Sequence, residues 1–349
     1  MKRYGVNFAV VFVLFVITVI LVACASGGRI ESKTDSKEDI VWPPGESAPR
    51  IEYMGSISKP EDINISQGLI GILKAVAIGE EDNSMVLPMA ITTNKMNQLF
   101  VADPGKKGIH RFDTKRGKYK FLKRKGDKDF KTPISMDSDK NGNIYITDSE
   151  LAKVFIVNLD DDFAIPLSLA EDFVRPTGIA VDKRTGWIYV VDTGAHAIYV
   201  FKSDASLVKK FSHRGTGEGE FNYPTYLWQR HDGSLLVTDS LNFRIQVFNR
   251  YGIFENQFGN PGNGTGDLAR PKGVAVDSHG HIYITDSLFH NVQVFDESGK
   301  FLLTFGEQGT GSGQFWLPVG ISITEDDTIY IADSYNKRIQ IFQYVGMEK

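Results

Sequence analysis

Arg270-Pro271-Lys272-Gly273-Val274-Ala275-Val276-Asp277, then His281-Ile282-Tyr283-Ile284-Thr285-Asp286-Ser287, then Val292-Gln293-Val294-Phe295, form a run of three apolar segments parted by polar turns. Alternation within Ile282-Tyr283-Ile284-Thr285 is the period of a half-buried strand, not of a helix. A Pro opens the unit, an Asp closes its second strand, and Phe301 to Phe305 supplies a fourth strand before a Gly-rich turn. The unit recurs. Opening prolines stand at Pro88, Pro133, Pro176, Pro224, Pro271 and Pro318, with spacings of 45, 43, 48, 47 and 47. Asp103, Asp148, Asp192, Asp239, Asp286 and Asp333 keep step with them.

Four short strands in each of six units of this length predict an all-β chain folded as a six-bladed β-propeller. Gly, Pro and β-branched residues in every unit exclude a coiled coil or helical solenoid. Three segments carry a family resemblance: Arg175-Pro176-Thr177-Gly178-Ile179-Ala180-Val181-Asp182; Val237-Thr238-Asp239-Ser240 with Arg244-Ile245-Gln246-Val247-Phe248; and Ile331-Ala332-Asp333-Ser334 with Asn336-Lys337-Arg338-Ile339-Gln340. The chain resembles the NHL-repeat propellers from Pro88 to Phe342, most closely in repeats three to six. Blades one and two lack the Asn and Arg after the closing Asp. The resemblance implies a fold; a fold hosts many functions.

Repeat six runs out after its third strand, at Ile341-Phe342-Gln343-Tyr344. An open edge there invites aggregation. The upstream segment Ile51-Glu52-Tyr53-Met54-Gly55-Ser56-Ile57 is strand-like and is expected to complete blade six and close the ring. Between it and repeat one, Ser66 to Gly79 reads as a short connecting helix capped at both ends. Further upstream, Lys2 and Arg3 precede an apolar run from Val6 to Ala23, the pattern of a secretory leader. The run ends in Leu21-Val22-Ala23-Cys24, and Cys24 is the chain's one cysteine. This resembles the lipobox of bacterial lipoproteins, which implies cleavage before Cys24 and lipidation of it. Ala25, rather than Asp, follows; by resemblance to Gram-negative sorting rules this implies the outer membrane of the cell envelope. An uncleaved anchor and cleavage without a lipid are the alternatives. Residues 1–23 are thus expected to be a signal peptide, 24–48 a flexible tether and 49–346 the propeller.

The formal charge is −4, and −6 once Lys2 and Arg3 leave with the leader. That mild acidity argues against a nucleic-acid partner. A lone thiol excludes an internal disulfide and any cysteine-based metal site. The six closing aspartates suggest a metal ring, but Asp also bonds backbone amides two residues on, and a turn-shaping role is the expectation. The Gly-rich runs at Gly215–Gly219, Gly262–Gly266 and Gly309–Gly313 each lead to a Pro and a strand, so they read as turns between blades rather than phosphate loops. His196 and His290 share an offset four residues past their Asp but lie in non-adjacent blades, and no metal or cofactor is assigned to them.

Alternation along the first strands is expected to turn small residues, such as Gly178, Ala180, Gly273 and Ala275, toward the crowded axis. Blade two has Asp137 in that set and blade four has Tyr226 and Trp228, so these three are channel-lining candidates. Loops before strand one and turns between strands two and three share one face. It is expected to present Tyr223, Phe243, Phe289, His290, Trp316, Tyr335, Lys106 and Lys107, a composition suited to protein recognition. The favoured reading is a non-catalytic envelope lipoprotein that binds an unidentified envelope protein through this face. A metal-dependent propeller enzyme of lyase or lactonase type, and a sensor binding a small ligand in the channel, are the alternatives.

Overall fold

The computed structural model describes residues 40–44, 50–63 and 82–346. The leader, Cys24 and the helix expected over 66–79 lie outside the described residues. Within them the chain is an all-β, six-bladed propeller. Blade one comprises Ala90–Thr93, Leu99–Asp103, Gly108–Asp113 and Lys118–Arg124; blade two comprises Pro133–Ser138, Ile144–Asp148, Lys153–Val157 and Phe163–Pro166. Blade three is built from Pro176–Val181, Ile188–Asp192, Ala197–Phe201 and Leu207–Phe211; blade four from Pro224–Gln229, Leu235–Asp239, Arg244–Phe248 and Phe254–Phe258. Blade five follows with Pro271–Val276, Ile282–Asp286, Asn291–Phe295 and Phe301–Phe305. Blade six has Pro318–Ile323, Thr328–Asp333 and Arg338–Tyr344, and takes its outer strand from Ile51–Ile57.

That last strand closes the ring antiparallel, with Ile51 opposite Tyr344 and Ile57 opposite Ile339. A fifth strand, Val41–Trp42, pairs outside it. The tether expected over 24–48 is therefore corrected at its end. The Trp42 ring packs 5.7 Å from that of Phe305 and 5.8 Å from that of Phe342, which holds this segment on blade six. Two residues are too few to show a strand period in the sequence.

Each strand pair alternates sides, so a blade has one side for each neighbour. Among the described residues six buried apolar clusters form, one in each gap between consecutive blades. Five of the six gaps draw on a buried residue three before an opening Pro, namely Met85, Phe130, Phe221, Leu268 and Phe315. These residues wedge the approach to each first strand. Blades one and two are joined further, because their outer strands pair in parallel, with Phe163 opposite Lys123.

Candidate binding face

The closing aspartates are structural hubs. Asp148 accepts the amides of Lys131 (2.7 Å) and Thr132 (3.1 Å), from the loop entering its own blade, and those of Glu150 and Leu151 just beyond it. Asp192 holds Val174 and Arg175 in the same way, at 2.7 and 2.8 Å. Asp103 and Asp286 repeat the pattern. In blades four and six the hub differs. One oxygen of Asp239 accepts Asn222 N–H, while the other receives Asn242, Arg244 Nε (2.9 Å) and Gln246. Asp333 does the same with Trp316, Asn336, Arg338 Nε (2.8 Å) and Gln340. Burial holds both carboxyls above the ordinary range even against these donors.

That difference explains the two histidines. With Asp239 occupied, the Tyr223 amide donates instead to Nδ1 of His196 in blade three, at 3.1 Å. The Leu317 amide likewise donates to Nδ1 of His290 in blade five, at 3.0 Å. His290 is half-buried in this role, not a free surface contact as expected. The Gly-rich runs are turns between blades, and Arg244 and Arg338 gather their carbonyls: Arg244 Nη2 donates to Gly217 and Glu220, Arg338 Nη2 to Gly311 and Gln314.

A second set of bonds runs around the axis. First-strand carbonyls near the opening Pro have no ladder partner on the channel side. Hydroxyls flanking the closing Asp of the preceding blade reach them. Thr147 donates to Thr177 O, Thr193 to Pro224 O, Thr238 to Lys272 O, Thr285 to Val319 O and Ser334 to Pro88 O. The Thr-Asp-Ser signature is thus a stitch between blades. Blade one has Ala102 and Pro104 at these positions, and there the outer-strand pairing with blade two ties the gap.

The expectation that small residues face the axis is corrected. They face the next blade: a Cβ on Gly178 would lie 2.8 Å from Thr225 O, and one on Gly273 would lie 2.6 Å from Val319 O. First strands converge near the axis, so their backbones approach more closely than a side chain allows. Asp137 is not a free channel group, since its oxygens accept the amides of Val181 (2.8 Å) and Ser138 (2.7 Å); burial pushes its carboxyl up. Trp228 packs against the clusters on both sides of blade five and is not an open stacking platform. Tyr226 does cross the channel, and its hydroxyl stands 3.4 Å from Met89 O in blade one, diametrically opposite.

The same loop face carries the exposed apolar residues. Two positions meet on every blade: the second before the opening Pro and the second after the closing Asp. Blade two fills them with the ion pair Lys131–Glu150 (3.7 Å). Blade six fills them with Trp316 and Tyr335, rings 6.0 Å apart. Blades four and five expose Leu241 and Leu288, 50% and 57% accessible, and blades one and three expose Val86 and Val174 over Gly105 and Gly194. With Tyr223, seven of the twelve large apolar side chains that the described residues expose lie on this face. Leu241 and Leu288 escaped the sequence reading, which weighed aromatics and cations but no aliphatic residue. Phe243 was misassigned: it sits half-buried against the cluster between blades four and five, and Phe289 is also half-buried. Lys106 is tied to Asp82 at 3.8 Å, while Lys107 is exposed in the left-handed conformation at φ 58°.

No curated protein sequence matches the chain. A family model described as a 6-bladed beta-propeller matches residues 226–288 and 276–348. Among solved structures, virginiamycin B lyase from Staphylococcus aureus is 15% identical with a TM-score of 0.56, covering 74% of this chain and 96% of that one. A putative gluconolactonase is 12% identical with a TM-score of 0.58, covering 76% and 91%. An auxiliary nutrient binding protein from Bacteroides thetaiotaomicron is 12% identical with a TM-score of 0.59, covering 75% and 70%. At these identities the likeness is one of fold, and it agrees with the blades counted above: the described body is a six-bladed β-propeller.

Proposed function

We propose that this chain is a non-catalytic lipoprotein of the bacterial cell envelope, held at the outer membrane through Cys24, that binds a protein partner on the loop face of its propeller. The observation that carries this reading is the concentration of exposed apolar side chains on one face, running through Leu241, Leu288, Trp316 and Tyr335 of blades four to six. Large apolar side chains exposed together on one face suit a protein interface. The lyase, lactonase and nutrient-binding neighbours share the fold at 12–15% identity, so their activities do not transfer to this chain.

Cross-linking from position 241 in the native membrane, followed by capture, tests the reading. One specific protein should be recovered, and it should be lost in Leu288→Asp/Tyr335→Asp but kept in Val208→Asp on the outer strand of blade three. Recovery that ignores the double substitution refutes it. A stoichiometric metal in the purified protein would favour the enzyme reading instead. Cys24→Ser should move the protein to the soluble fraction; full membrane retention refutes the lipid anchor.

A further inference from the structure

The loops that enter blades four, five and six carry the Gly-rich runs, and they fold alike. In each, the middle glycine donates to the side chain three residues on: Gly217 to Glu220 (2.9 Å), Gly264 to Asp267 (2.9 Å) and Gly311 to Gln314 (3.0 Å). The third strand then clasps the loop, as Gln246, Gln293 and Gln340 donate to the carbonyls of Glu220, Asp267 and Gln314 at 2.6, 2.7 and 2.6 Å. In blades four and six the loop gathers around a guanidinium. Arg244 Nη2 lies 2.7 and 3.0 Å from Gly217 O and Glu220 O, and Arg338 Nη2 lies 2.6 and 2.8 Å from Gly311 O and Gln314 O. Asn242 and Asn336 add donors to Gly215 O (2.9 Å) and Gly309 O (2.8 Å). Blade five keeps the loop and loses both donors. Asn291 stands opposite Asp286 as Arg244 stands opposite Asp239, and Phe289 replaces the asparagine. Among the described residues, the carbonyls of Gly262 and Gly264 receive no side-chain donor, and Asn291 Oδ1 is buried with no hydrogen-bond partner. Asp239 and Asp333 are ion-paired to their arginines, whereas Asp286 has no ion pair there. A buried acceptor left unmade is costly, so blade five presents an acceptor set that lacks its donor.

We propose that this cradle in blade five takes the guanidinium of an arginine supplied by the protein partner; the inference rests on the loop-face reading above and adds the chemistry of one contact. Blades four and six show what the loop seats: the same carbonyls hold a planar fork of N–H donors at 2.6–3.0 Å. An ammonium, a point charge with three donors, does not match that spread of acceptors. The Asp286 carboxylate next to Asn291 supplies the negative charge that its counterparts spend on Arg244 and Arg338. Gly262 and Gly264 are exposed and Asn291 is half-buried, so the cradle opens to solvent. Leu288, exposed in the turn that leads to Asn291, places an apolar contact beside it. Among the described residues a Gly-rich run without its guanidinium occurs once, so the contact fixes where the partner sits on the ring.

Calorimetric titration of the full chain at low salt with acetyl-arginine amide tests the cradle without the partner. The probe should bind one-to-one with a Kd of about 10 mM or tighter, and acetyl-lysine amide should bind at least about fivefold more weakly. Asn291→Arg rebuilds the arrangement of blades four and six from within, so it should raise the melting temperature and abolish binding of the probe. If Phe289 keeps the new side chain out, Phe289→Asn/Asn291→Arg restores both donors and decides. Cross-linking from position 241 then reads the partner, whose capture should be lost in the same variant. No binding of acetyl-arginine amide, equal binding of the lysine probe, or wild-type binding by Phe289→Asn/Asn291→Arg overturns the proposal. Capture that is lost in Leu288→Asp/Tyr335→Asp but kept in Phe289→Asn/Asn291→Arg rejects the cradle and leaves the loop-face reading standing, whereas no capture by the wild type rejects both.

Discussion

Substituting Ile51→Ala and Ile57→Ala, singly and together, would open the ring at its seam. The strand Ile51–Ile57 pairs with Arg338–Tyr344, roughly 290 residues away along the chain, so closing that loop costs about 5 kcal/mol by the (3/2)RT ln n rule before any constant term. The seam must offset this locally. Ile51 is fully buried in the cluster between blades five and six, and Ile57 is 2% exposed in the cluster between blades six and one. Removing a buried Ile side chain down to Ala costs about 2–5 kcal/mol. The two residues stand at opposite ends of one strand, about 20 Å apart at the usual rise per residue, so their costs should add. The double substitution then loses about 4–10 kcal/mol, comparable to or above the closure cost, and the seam should part before the blades melt. Urea denaturation followed by tryptophan fluorescence reads this directly, because Trp42 packs on Phe342 at the seam. Each single substitution should lower the midpoint, and the double should split off an early transition. Val208→Ala, on an exposed outer strand, should stay within about 0.5 kcal/mol. Single costs below about 1 kcal/mol, against the 2–5 kcal/mol range for buried Ile, would show that the N-terminal strand does not hold the ring.

Three further perturbations test the hubs and turns. Burial raises the carboxyl of Asp277, but bonds from His281 Nδ1 (2.8 Å) and Tyr283 Oη (2.9 Å) outweigh it and hold the group below 3.8; the same bond lifts His281 above 6.5. The Asp277 contribution is present above its unfolded pKa and is lost as pH falls through the folded value, while that of His281 is present below 6.5 and is lost as pH rises through its folded value. Stability from the pair should therefore peak between about pH 4 and 6.5, and His281→Gln should flatten the alkaline limb of a melting-temperature profile; an unaltered limb refutes the assignment. His196→Ala strands the Tyr223 amide of the next blade and should cost about 1–3 kcal/mol by denaturation, whereas Lys107→Ala at the same offset of blade one should cost under about 0.5 kcal/mol, since Asp148 already holds both amides of the loop entering the next blade; equal costs reject the relay. Ala152 sits at φ 51° in a turn that is left-handed in all six blades, so Ala152→Gly should stabilise by about 0.5–1 kcal/mol, and a loss would mean that its methyl packs.

Blades were legible because their punctuation is covalent and local. An opening Pro cannot donate to a ladder, and a closing Asp must take amides, so both recur in phase wherever a blade repeats. The seam was legible for the same reason: blade six lacks a strand, and the one strand-like stretch left over lies at Ile51–Ile57. The channel was not. Position parity assigns a side but not what stands on that side, and only the distance from Gly178 to the Thr225 carbonyl shows that the small residues serve blade contact. The duty of His196 depends on how many donors Asp239 already receives, a count set by Arg244 and Gln246 in three dimensions. Leu241 and Leu288 were readable as an offset, but their exposure was not.

A ring of near-identical blades presents near-identical edges, so selective binding has to come from where the repeat breaks. The hubs, stitches and interblade clusters are common to most blades, and altering them weakens the ring without redirecting it. Departures concentrate elsewhere. Tyr226 replaces a small residue in blade four, Lys272 replaces a neutral one in blade five, and Arg175 and Arg270 stand before the prolines of blades three and five. The aliphatic positions Leu241 and Leu288 belong to blades four and five as well. A surface under no demand would scatter such changes around the disc. Here the exposed Leu241, Leu288, Trp316 and Tyr335 share the loop face across blades four to six. A substitution there, such as Leu288→Asp or Tyr335→Asp, should therefore change binding while leaving the melt within about 0.5 kcal/mol of wild type, and a ring-wide loss of stability from either would place these residues among the structural hubs instead.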